Sequence, residues 1–165
     1  MKIIKKSAVF STCKAYRYSL TRTWDLNQKL ILFIGLNPST ADEKNDDPTL
    51  RRCLFYATEW GFGGLIMVNL FAFRATHPKD LKSAKYPIGI DNNQFIINAH
   101  DRAELTIAAW EMMVAFTIEA RRCWNLLKIR CASILIKRVS RLIHFIKKKT
   151  LIQKSTADKY KYLLS

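Results

Sequence analysis

The chain has 165 residues, 49% hydrophobic and 25% charged, which suits one domain with a sizeable core and excludes a disordered or fibrous chain. Its net charge of +15 points toward nucleic acid or another anionic surface. No apolar run reaches the length of a signal sequence or membrane span, and Cys13, Cys53, Cys123 and Cys131 form no C-x-x-C pair; a cytoplasmic protein without membrane, metal, cofactor or disulfide framework is expected.

The charge is unevenly spread. Residues 1–110 hold 15 Lys and Arg against 10 Asp and Glu, net +5, whereas residues 111–165 hold 13 against 3, net +10. All five Gly and all four Pro precede Trp110. A compact α/β domain rarely abandons turn formers for so long. The pattern divides the chain into an α/β domain over 1–110 and a basic tail over 111–165.

In chain order, Ser7 to Arg22 alternates loosely and is rich in Phe, Tyr, Thr and Val, predicting a hairpin or edge strands. Arg17, Tyr18 and Arg22 are expected at the surface of the sheet edge. Leu30–Ile34 is a five-residue apolar run of the kind a buried strand shows, although so short a run also fits a piece of helix. Gly35-Leu36-Asn37-Pro38-Ser39-Thr40-Ala41-Asp42 follows. Gly35 and Pro38 break the strand, and Asn37, Ser39, Thr40 and Asp42 place polar groups at its carboxyl end. In open α/β sheets that end is where ligands bind; an ordinary Asn-Pro turn is the alternative.

Asp47-Pro48 reads as an N-cap and first helical residue, followed by Leu50, Cys53, Leu54, Ala57 and Trp60 at helical spacing, with Gly61 closing the element. Arg51 and Arg52 oppose the helix dipole in its first turn, which fits either an anionic partner or a solvated face. Gly61-Phe62-Gly63-Gly64 precedes a strand and opens no helix, so it is a turn and not a phosphate loop. Leu65–Val68 is a second buried strand, and Asn69 then stands at its carboxyl end as Asn37 does at the first. A strand–helix–strand crossover makes the two strands parallel, so both ends open on one rim. Two amides on one rim present donor and acceptor together, as reading a nucleobase edge requires. His77 beside Pro78 is expected to be a loop histidine. Asp91 is predicted to cap a helix from Asn92 to about Arg102 with Phe95, Ile96 and Ala99 inward, and Leu105–Trp110 to form a third buried strand. The alternation implies a mainly parallel sheet covered on both faces.

The stretches F-I-G-L-N-P-S-T-A-D, D-D-P-T-L-R-R-C, W-G-F-G-G-L, V-N-L-F-A-F-R-A-T and P-I-G-I-D-N-N, in this order over residues 7–110, closely resemble the bacterial domain-of-unknown-function-1643 family. A more distant likeness is to the uracil-DNA glycosylase superfamily. There, G-I-N-P-G or G-E-A-P-G follows the first core strand, and a later strand ends in a base-reading asparagine; Gly35–Ser39 resembles the first feature and Val68-Asn69, followed by Arg74, the second. That resemblance implies a three-layer α/β/α fold and a nucleic-acid or nucleotide partner. It further implies that Asn37 orients the attacking water and Asn69 holds the extruded base, with Gly35, Pro38, Ser39, Thr40, Asp42 and Arg74 completing the substrate site. The superfamily's late histidine stabilises the departing base, but no His-Pro pair follows Pro78 here, and the iron–sulfur cysteines of some branches are absent.

The family continues after its third strand as W-G, an Arg-containing helix and G-x-P-x-H-P-L-Y. This chain has Trp110-Glu111-Met112-Met113-Val114 instead. Started one nucleotide earlier, the codons for these residues must spell W-G-(N/D)-D-G, and those for Val139–Ile146 permit Q-P-x-H-P-L-Y. Residues 111–165 therefore read as a frameshifted translation, with loss of activity and of core expected. Taken literally, residues 114–146 could instead form a basic amphipathic helix for nucleic acid or an anionic membrane surface. A non-catalytic module binding a nucleotide or other small anion at the same rim is the remaining alternative.

Overall fold

The computed structural model describes residues 2–109. Leu30–Gly35 forms strand β3 and Gly64–Asn69 strand β4, following the hairpin strands β1 (Lys5–Phe10) and β2 (Arg17–Thr23). Helix α1 (Pro48–Glu59) joins β3 to β4; α2 (Pro78–Ser83), α3 (Asn92–Arg102) and β5 (Leu105–Ala108) follow. The five strands make one sheet in the order β1-β2-β4-β3-β5.

Side chains alternate between the two sheet faces, which sorts the core into two halves. Leu32, Ile34, Ile66 and Val68 pack with Ile96 and Ala99 of α3 on one face. Ile31, Phe33, Leu65 and Met67 pack with Leu50, Cys53, Leu54 and Ala57 of α1 on the other. A strand buried on both sides must be apolar at every position, and β4 is buried along its whole length.

Alternation of strands and helices suggested a mainly parallel sheet; the sheet is mixed. β3 pairs in parallel with β4 and with β5. β2, however, pairs antiparallel with β4 through Leu20–Met67 to Thr23–Gly64, and β1 antiparallel with β2. The crossover through α1 leaves one edge of β4 free. The hairpin, whose short connection forces antiparallel pairing, closes that edge. β2 is consequently an interior strand, and Arg17, Tyr18 and Arg22 are buried, not placed on an edge surface as expected.

Helix α1 starts as its sequence dictates: Asp47 accepts from the Leu50 amide at 2.7 Å, with Pro48 in the first turn. Gly61 closes the helix at φ +79°, a left-handed conformation that suits glycine. Asp91 precedes α3 but makes no side-chain capping bond. Phe95 stacks on Tyr18 at 5.0 Å between ring centroids. His77 is exposed at the start of α2, a short helix its Pro78-Lys79-Asp80 sequence did not announce. Trp110, Cys123, Cys131, the stretch 114–146 and the rest of the segment 111–165 lie outside the described residues.

Candidate functional site

Parallel pairing in register sets Gly35 of β3 beside Asn69 of β4. The strands end there, and their carboxyl ends open on one rim beneath the loop 36–47. The lack of a side chain at Gly35 is a requirement: a Cβ at that position would lie 2.6 Å from Asn69 Nδ2. Asn69 is buried, and its backbone is held from the far face of the sheet by Asn92, whose Nδ2 donates to the carbonyls of Asn69 and Leu70, each at 2.9 Å.

A buried arginine fixes the orientation of the Asn69 amide. Arg17 Nη2 donates to Asn69 Oδ1 at 3.2 Å and Nη1 to the Ala41 carbonyl at 2.8 Å. A guanidinium carries only donors, so the atom facing it must be the amide oxygen, and Nδ2, packed over Gly35, is left without a partner among the described residues. Arg17 reaches this place through a β-bulge. Val9 pairs with Ser19 but Phe10 with Arg17, so Tyr18 is an extra residue in β2. The bulge lets Tyr18 stack toward α3 while Arg17 turns to the α1 face, the re-aiming that bulges perform near functional sites.

Asn37 is clamped in the complementary sense. Its Nδ2 donates to the Ala75 carbonyl at 2.7 Å and the Pro38 carbonyl at 3.1 Å, while the Ala75 amide donates to Pro38 O at 3.0 Å. The loop after β3 is thereby tied to the loop after β4, and the Asn37 oxygen remains as a free acceptor among the described residues. Pro38 is buried, Ser39 half-buried and Thr40 exposed. Asp42 serves its own turn: its carboxylate accepts from the Asn45 amide at 2.7 Å and the Lys44 amide at 2.8 Å, which holds its pKa below the ordinary value. Arg22, buried under the same loop, donates to Asp46 Oδ1 at 2.7 and 2.9 Å and to the Asp42 carbonyl at 2.6 Å.

Arg74 comes to the same corner. The backbone of Tyr16 bridges Phe73 antiparallel, with Arg17 N donating to Ala72 O and Arg74 N to Ala15 O, both at 2.9 Å. Arg17 and Arg74 are therefore diagonal neighbours on one face of this ribbon. Arg74 donates to the Lys14 carbonyl at 3.3 Å, and its guanidinium carbon lies 5.1 Å from the Phe10 ring centroid. Burial pushes the Arg17 guanidinium pKa down to about 10, with the Arg74 and Arg22 charges adding to the fall and Asp47 opposing it.

All the residues expected at the site lie on the two tied loops and strand ends, but Asp42 is committed to its turn. Arg17 is the polar residue that sequence reasoning left at the surface. Its only linear signal was a cation within an otherwise strand-like run; the bulge that aims it has no such signal. A cavity of about 480 Å³ lies away from the rim, between α3 and the hairpin, lined by Ser7, Ser19, Thr21 and Arg102 among others. None of the expected site residues lines it. Among the described residues no cluster of His, Cys, Asp or Glu could hold a metal, and no helix is long and apolar enough to cross a membrane.

Fold and site together define an α/β protein with a mixed sheet and a polar, arginine-backed rim at its parallel strand ends. Residues 17–151 match the family described as protein of unknown function (DUF1643), and the chain belongs to that family. The matched segment continues past Trp110. No curated protein and no solved structure matches the chain.

Proposed function

We propose that this chain is a glycosylase-like protein of bacterial, cytoplasmic type whose domain over 1–110 takes a nucleobase or nucleotide at the rim of β3 and β4. The observation that carries this reading is the complementary pair of clamped amides. Asn37 keeps its oxygen free because its nitrogen is held by two carbonyls, and Asn69 keeps its nitrogen because its oxygen is held by Arg17. A free acceptor at Asn37 suits orientation of an attacking water, and a free donor at Asn69 suits a base carbonyl. Pro38, Ser39, Thr40 and the Asp42 turn shape the loop above them, and Gly35 leaves room for the Asn69 amide.

Two further parts of the reading concern residues 111–165. The three-layer arrangement of the glycosylase superfamily, begun by α3 and α1 on opposite faces of the sheet, would be completed beyond β5, and its catalytic histidine would come from the H-P-L-Y that the alternative frame permits. The family match continuing to residue 151 weighs against a foreign tail; the nucleotide sequence at the Trp110 codon decides the matter. An early stop in the alternative frame, or a frame unable to encode H-P-L-Y, would sink the frameshift proposal. The chain as written, which has no His-Pro pair after Pro78, is expected to be inactive under either function reading.

One observation favours a non-catalytic module instead. The Arg17 bond turns Asn69 Oδ1 toward the protein and takes one of its two lone pairs, which favours a binding role with the amide as donor over reading a whole base edge. A base-release assay on uracil-containing DNA, run with frame-restored protein and its Asn37→Ala variant, separates the two. Release that vanishes in the variant supports the enzyme. Saturable nucleotide binding without release supports the module, and neither outcome would leave the rim without a nucleotide role.

A further inference from the structure

Two guanidinium groups meet at the rim without a carboxylate partner. Arg17 is only 2% exposed. Among the described residues, ion pairs join Arg22 and Lys6 to Asp46, and none involves Arg17 or Arg74. The Nε atoms of both Arg17 and Arg74 are buried and have no hydrogen-bond partner. Among the described residues, the side-chain bonds of these two arginines go to neutral acceptors: the Ala41 carbonyl and Asn69 Oδ1 for Arg17, the Lys14 carbonyl for Arg74.

The nearby acids are committed elsewhere. Asp47 caps α1 through the Leu50 amide, and Asp42 closes its turn on Lys44 and Asn45. Asp47 and Asp42 act on Arg17 and Arg74 only through space, without an ion pair; a buried cation with no bonded counterion is unfavourable, and a second cation on the same face of the ribbon adds repulsion. The two bonds of Arg17 tie the loop after β3 to Asn69, but they leave its charge without a bonded carboxylate. An oxyanion supplied by a ligand removes both penalties at once, through charge-assisted hydrogen bonds to Arg74 and the field of Arg17 behind it.

We propose that Arg74, backed by the buried Arg17, forms a subsite for the oxyanion of a small ligand, the phosphate of a nucleotide whose base lies at Asn69. This rests on the nucleotide reading of the rim. It adds that the ligand is the phosphorylated form and not the free base or nucleoside. Arg74 contacts the oxyanion, whereas Arg17 is a positioning residue that holds Asn69 and sets the local potential.

The test is calorimetric titration of the full chain with the nucleoside 5′-monophosphates, the matching nucleosides, inorganic phosphate and citrate. At least one nucleotide is expected to bind about tenfold or more tightly than its nucleoside. Arg74→Met should reduce that advantage below about threefold, and Arg74→Lys should restore most of it. Arg17→Met should reduce the same ratio, its melting curve reporting whether the fold survives; Arg74 is half-buried and tests the subsite independently. Equal affinity for nucleoside and nucleotide overturns the oxyanion subsite and leaves base binding standing. Phosphate binding as tightly as every nucleotide supports the subsite and removes the base. Citrate binding more tightly than phosphate, with the same dependence on Arg74, assigns the oxyanion to a carboxylate ligand and overturns the phosphate assignment. Binding of none of the probes overturns the subsite and the nucleotide reading together.

Discussion

Gly35 and Asn69 show how closely the site depends on single atoms. Gly35→Ala places a methyl group where Asn69 Nδ2 now lies, at a built distance of 2.6 Å. The amide must swing away and lose the Arg17 bond. We expect a loss of about 1–3 kcal/mol in a thermal or denaturant melt, the range for inserting a methyl group into a packed site. Ligand affinity should fall with it, and a variant that binds nucleotide as the parent does would show that the Asn69 orientation is irrelevant. Cys53, on the opposite flank of the same face, gives a test of pH dependence. Burial pushes its thiol from 9.0 up to about 12. The folded state then keeps a proton that the unfolded state loses, so its contribution is complete below pH 9 and declines as pH rises through the folded value. Arg17 acts with the opposite sign, since burial lowers its pKa to about 10 and stability is regained only above that pH. Between pH 9 and 10, melting midpoints of the parent should therefore fall faster than those of Cys53→Ala; parallel curves would contradict the burial argument.

At the scale of elements, α1 is the part most completely dictated by local sequence. Asp47 and Pro48 act within its first turn, and the Leu50-Cys53-Leu54-Ala57 stripe marks the face it lays on the sheet. Asp47→Ala removes the acceptor for the Leu50 amide and is expected to cost about 1 kcal/mol, read from chemical denaturation. A change below a few tenths would mean that the cap is redundant. The hairpin is the opposite case. Its alternation was legible as strands, and its turn as antiparallel pairing, but its place beside β4 was not. Tyr18 illustrates why: one extra residue in β2 reverses the faces of Arg17 and Tyr18, and no local preference marks where a bulge falls. Arg22 is similar, since a fully buried arginine makes sense only once Asp46 and the Asp42 carbonyl lie over it.

For the molecule as a whole, β2 is the joint between the hairpin and the parallel core. Leu20 is fully buried, pairs with Met67 of β4 and packs in the cluster shared with α1. Leu20→Ala is expected to cost about 2–5 kcal/mol, the range for a large-to-small change in a packed core. Because Arg17 lies on the same strand, the loss should also weaken nucleotide binding. A melt showing two separate transitions in the variant would mean that hairpin and core fold as independent units.

The sequence by itself marked the buried strands at Leu30–Ile34 and Leu65–Val68, each one or two residues shorter than in the fold, the capped helix between them, and hence the shared rim carrying Asn37 and Asn69. These follow from short-range chemistry: apolar runs bounded by glycine, an Asp-Pro cap, and the parallel sense that a helical crossover imposes. Only the tertiary structure decided that the sheet is mixed, that Arg17 is buried, and which atom of each asparagine is free. Those depend on contacts between residues far apart in the chain, such as Arg17 with Asn69 and Asn37 with Ala75, and on a bulge whose position is set by packing. Polarity at the rim is therefore a property of the assembled fold, because an amide acquires a direction only when something holds its other end.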